Sequence, residues 1–65
     1  MAYSIYRVSP DGTRILMSTA GTISDRQRAL EKARQYTDRL RQGDPETEDR
    51  FIASDDRGRE LKPAS

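Results

Sequence analysis

The chain is 65 residues long, with 35% charged and 32% hydrophobic residues, a formal net charge of +1, and neither cysteine nor histidine. That length admits one domain with a small core, and the missing residue types exclude disulfides, Ser-His-Asp and Cys-His catalysis and the common zinc sites. A mean hydropathy of −1.01 approaches the disordered regime, but the regular patterning along the chain argues against disorder.

Ala2 to Val8 has strand character, since Tyr3, Ile5, Tyr6 and Val8 are all good strand formers. Ser9-Pro10-Asp11-Gly12 then reads as a turn. Proline pre-sets the first central position, Asp tolerates the second, and Gly supplies the positive φ of a bulge. Thr13 to Thr19 runs back as a second strand, and Ala20 to Ile23 connects it to a helix.

Ser24 to Gly43 is the stretch around which the chain is organised. Ser24 reads as the N-cap, with Gln27 completing a capping box and Asp25 in the first turn. Arg39 and Arg41 suit the C-terminal end, Gly43 suits a left-handed position after it, and Pro45 blocks resumption. At about 100° per residue, Tyr36, Ala29, Leu40, Ala33, Thr37 and Leu30 share one arc of roughly 120°. Ala33 is central to it and lets the helix axis lie close to a sheet.

Gly43 to Asp49 is an acidic loop without an apolar residue, expected to be exposed and mobile. Phe51 to Ser54 is a third strand. Asp55-Asp56-Arg57-Gly58 repeats the first turn's chemistry, and Arg59 to Lys62 is a short fourth strand. Pro63-Ala64-Ser65 reads as a flexible tail. The order β-β-α-β-β predicts one α+β domain over residues 1–62, a two-layer arrangement with an antiparallel sheet covered on one face by the helix.

The turns set the register, and the register assigns the faces. Ser9 opposite Thr13 places Arg7 opposite Ile15 and Ile5 opposite Met17. The predicted core is Tyr3, Ile5, Ile15, Met17, Leu30, Ala33, Tyr36, Leu40, Phe51, Ala53 and Leu61. Tyr6, Val8, Leu16 and Ile52 then share the uncovered face, rimmed by Arg14, Arg50 or Lys62. An apolar patch of that kind marks an interface, here a homodimer or a protein partner. Scattered apolar exposure is the plainer explanation of the same residues.

Charge is polarised along the sequence. Residues 25–43 carry six basic and three acidic residues, whereas residues 44–65 carry four basic and seven acidic ones. Arg28, Lys32 and Arg39 fall on one helix flank, readable as a phosphate-contacting stripe or as an ordinary solvated face. Nucleic acid is therefore the alternative partner, on that flank or on the sheet. The strands, however, offer only Arg7 and Arg14 for reading bases. Asp55-Asp56 is explained by turn chemistry and Glu48-Asp49 by loop solubility; neither has calcium-loop spacing, and the isolated glycines form no phosphate cradle. No enzyme activity, metal or cofactor is expected. Neither a signal peptide nor a run long enough to span a membrane is visible, so a cytoplasmic protein is expected.

The stretch YSIYRVSPDGTRILMSTAG followed by a helix loosely resembles the sheet-and-helix arm-binding domains of phage integrases. The longer layout, a first hairpin, then SDRQRALEKA, then FIASDDRGREL, is similar to several small bacterial families without an assigned function, over roughly Tyr3 to Leu61. Those families usually carry an aromatic in the second strand, where this chain has Ile15-Leu16-Met17. The resemblance implies a bacterial origin and the ββαββ layout, and no site residue.

Overall fold

A computed structural model describes residues 2–62. Three antiparallel strands, β1 (Ser4–Val8), β2 (Arg14–Leu16) and β3 (Arg50–Ser54), form one sheet in the order β2-β1-β3. A single α-helix, α1 (Arg26–Gly43), covers part of one face, so the fold is mixed α+β. The expected fourth strand is reduced to one bridge, Ser54 with Glu60, flanked by Leu61 N donating to Ala53 O at 2.8 Å. The tail from Pro63 lies outside the described residues.

The first hairpin forms in the register its turn dictates. Arg7 stands opposite Ile15, and Ser9 N donates to Thr13 O across a turn in which Gly12 has φ 91°. Asp11 Oδ1 accepts from Thr13 N at 2.9 Å and locks that turn. The second strand is shorter than Thr13 to Thr19, because the chain leaves the sheet after Met17 into a 3-10 turn at Ser18–Ala20. Ile23 then returns to pair with Tyr3, exchanging bonds of 2.8 and 2.9 Å. Continued pairing would have put Thr19 opposite Tyr3. The detour instead brings Ala20 and Ile23 against the core, which removes more apolar surface from water.

The helix begins one residue later than its sequence suggests. Asp25, not Ser24, is the N-cap: its backbone is extended and its Oδ1 accepts from Gln27 N at 2.9 Å. A carboxylate in this position satisfies an orphan N–H and also meets the positive end of the helix dipole. Gly43 closes the helix without a left-handed turn, and Asp44 N donates to Leu40 O.

Ile5, Ala29, Ala33 and Ala53 form the buried centre, with Tyr3, Met17, Ala20, Ile23, Tyr36, Phe51 and Leu61 packed around them. Two alanines on one helical face let α1 approach the sheet closely, and Tyr36 meets Phe51 with ring centroids 5.4 Å apart. The helix packs on β3 and β1 and makes no contact with β2. A helix about 10–12 Å across spans roughly two strands spaced ~4.8 Å apart. β2 therefore stays uncovered, and Ile15, expected in the core, is 56% exposed.

Candidate functional site

Alternation from Ile5 assigns the two faces of the sheet. Ile5, Arg7, Phe51 and Ala53 lie toward the helix; Tyr6, Val8, Arg14, Leu16, Arg50, Ile52 and Ser54 lie on the outer face. The expected patch of Tyr6, Val8, Leu16 and Ile52 is thus brought to one face, but it is not open throughout. Ile52 is 4% exposed and Ser54 is completely buried. Two contacts hold the last turn across them. Arg14 Nη1 donates to Gly58 O at 2.9 Å, and the Arg50 guanidinium forks onto both oxygens of Glu60 at 3.2 and 3.4 Å.

What stays exposed is β2. All three of its residues are exposed, including Ile15 and Leu16, the large hydrophobics most open to solvent among the described residues; Leu16 is 53% exposed. Tyr6 and Val8 beside it are half-buried. The backbone of β2 also has a free side. Thr13 O accepts from Ser9 N and Met17 N donates to Ile5 O, so the odd-numbered residues turn their backbone groups toward β1. The N–H and C=O of Arg14 and Leu16 consequently point away from the sheet. The opposite edge, at β3, is closed by contrast. Thr37 Oγ1 accepts from Phe51 N at 3.0 Å, and Leu61 N caps Ala53 O.

Sequence reasoning misses Ile15 as a surface residue. The available signal is geometric: one helix is not wide enough for a sheet of more than two strands, so some apolar residue of an outlying strand has to remain uncovered.

The cationic flank is present as well. Arg28, Lys32 and Arg39 are all exposed. Arg28 and Lys32 border a shallow pocket of about 310 Å³ at the start of the helix, with Thr22 and Ile23 opposite, and Arg39 lies outside it. Asp25 also lines this pocket and stands 4.0 Å from Arg28, which offsets part of its charge. A larger groove of about 430 Å³ runs between α1 and the C-terminal segment, over Leu30, Ala33, Phe51, Ala53 and Leu61. It continues the core and is rimmed by Arg34 and Glu60.

Asp11 and Asp55 titrate below the ordinary aspartate range. Asp11 is held there chiefly by the backbone N–H of Thr13, and Asp55 chiefly by that of Arg59. Both are turn locks. Asp55 Oδ1 accepts from Arg57 N and Arg59 N, each at 2.9 Å. The acidic loop is tied down at its end, where Asp49 receives the Arg7 guanidinium at 2.8 Å. Among the described residues no group of three or more acidic side chains is placed to hold a metal ion, and no helix is long and apolar enough to cross a membrane.

No protein-family model, curated protein or solved structure matches the chain.

Proposed function

We propose that this protein is a small interaction module that acts by binding rather than by catalysis, and that it associates with itself through β2 and the outer-face residues beside it. One observation carries this reading. A whole strand, with two large apolar side chains and an unpaired backbone edge, faces solvent in a chain whose core is small. Exposed edges of this kind are templates for another strand, and a small domain gains stability by burying them. Ile15, Leu16 and Arg14 form the contact surface, with Tyr6 and Val8 flanking it on β1 and Ile52 supporting it from below. The absence of histidine and cysteine from the sequence favours binding over catalysis. The layout resemblance favours a bacterial setting.

Absolute mass by light scattering across a tenfold dilution tests the reading. A dimer that Leu16→Lys converts to monomer supports it, since like charges beside Arg14 oppose association. A monomer at every concentration rejects it.

The second reading is nucleic-acid binding by Arg28, Lys32 and Arg39. What favours it is that Lys32 and Arg39 make no ion pair among the described residues. Titration with duplex DNA and with RNA at low salt tests it, since phosphate contacts strengthen as salt falls. An absence of binding there removes this alternative.

A further inference from the structure

We infer that the second copy adds to the sheet antiparallel, β2 against β2, with the two-fold axis passing between the two Ile15 residues. This deepens the self-association proposed above and rests on it. The hydrogen-bonding phase of β2 selects the axis. Arg14 and Leu16 present outward backbone groups, and Thr13, Ile15 and Met17 do not. A two-fold axis at Ile15 sets each Arg14 opposite the second copy's Leu16. Each such pair exchanges both of its bonds, so all the outward groups are satisfied together.

Neighbouring axes fail. An axis at Arg14 opposes two guanidinium-bearing residues and sets Leu16 against Gly12, which lies in the turn at φ 91°. An axis at Leu16 sets Arg14 against Ser18, which has already left the sheet in the 3-10 turn. Only the Ile15 axis keeps both outward residues on strand partners.

The side chains agree with this choice. The two Ile15 residues form a non-hydrogen-bonded pair, the closer kind, with Cα atoms about 4.5 Å apart. Their 56% exposure in the single chain is removed on the helix side of the sheet. Leu16 packs on the outer side beside the aliphatic stem of Arg14, whose head is already held by Gly58 O. No like charges meet, because Arg14 is the only charged residue of the strand. The helix does not obstruct the approach, since α1 sits over β1 and β3. The product is a continuous sheet in the order β3-β1-β2-β2-β1-β3. Both helices lie on one side, with a trough between them floored by the Ile15 pair.

The cysteine-free sequence permits a direct test. Ile15→Cys should give a disulfide-linked dimer as the main product of mild oxidation, because Cα atoms at this spacing lie within disulfide range. Arg14→Cys alone should remain mostly uncrosslinked, since the two Arg14 positions lie apart. The double variant Arg14→Cys, Leu16→Cys should crosslink again, and it retains Ile15. Crosslinking by Arg14→Cys alone, or none by either Ile15→Cys or the double variant, in a chain that light scattering shows to be dimeric, overturns the register and leaves self-association standing. A monomeric wild-type chain overturns both.

Discussion

Thr37 on the helix closes the open edge of β3 at Phe51. Its Oγ1 accepts from Phe51 N at 3.0 Å, lies 3.3 Å from Phe51 O, and is 2.8 Å from Ala33 O within the helix. One hydroxyl thereby joins the two layers and leaves no free strand edge at that point. Thr37→Val keeps the shape and removes the acceptor, so Phe51 N–H is left partly buried and unpaired. The expected loss is about 1–3 kcal/mol, which in a domain of this size lowers Tm by about 4–8 °C for each kcal/mol. Thr37→Ser retains the oxygen and should lose less. Thermal melts of both variants decide this; a larger loss for Thr37→Ser than for Thr37→Val would mean that packing of the methyl group, rather than the hydrogen bond, holds the edge.

The turn aspartates make stability depend on pH at the acid end. Asp11 and Asp55 have folded-state values below their ordinary ones, because backbone N–H groups of Thr13 and Arg59 respectively hold the charged forms. The unfolded chain therefore takes up these protons first. Their contribution is fully present at neutral pH and is lost as pH falls below about 4, through the folded-state values. Asn can accept the same bonds without titrating. The Asp11→Asn, Asp55→Asn double variant should lose less stability than wild type between about pH 5 and pH 2, as measured by urea denaturation at each pH. Parallel curves for the two proteins would show that other carboxylates cause the acid loss.

The local chemistry of the sequence determined more than its long-range packing. Ser9 to Gly12 carry enough turn information to set Arg7 opposite Ile15, and every face assignment in the hairpin follows from that pair. Where two local signals compete, tertiary contacts decide between them. Ser24 and Asp25 are both good caps, and the carboxylate takes the position. Thr19 and Ile23 compete for the slot beside Tyr3, and the apolar one wins by way of a detour that strand propensity does not reveal. The exposure of Ile15 and the burial of Ile52 depend on where the helix and the last turn lie across the sheet. Both placements are set by contacts between residues distant in sequence, such as Arg14 with Gly58.

Ile52 and Leu16 lie on the same outer face but differ in burial, 4% against 53% exposed. Ile52→Ala should therefore cost about 2–5 kcal/mol, as for a core cavity. Leu16→Ala should stay within about 0.5 kcal/mol in the unassociated chain. Urea denaturation at low chain concentration separates the two. A small loss for Ile52→Ala would mean that the last turn does not cover the face.

The approach of the helix to the sheet rests on small residues, and Ala29 is the most enclosed of them, with no exposed surface. Lys32, three residues on, is exposed. Both sites are interior to α1, so changing either to leucine costs little in intrinsic helix propensity. The difference between the two variants therefore reports packing. Ala29→Leu forces the added carbons between helix and sheet, and should destabilise by about 1–3 kcal/mol. Lys32→Leu should change stability by no more than about 0.5 kcal/mol. Because total stability at this size is small, the Ala29→Leu chain should show a visibly unfolded fraction by circular dichroism at room temperature, and the Lys32→Leu chain should not. If Ala29→Leu melted with wild type, the helix would have room to move outward, and close alanine packing would not be what fixes its distance from the sheet.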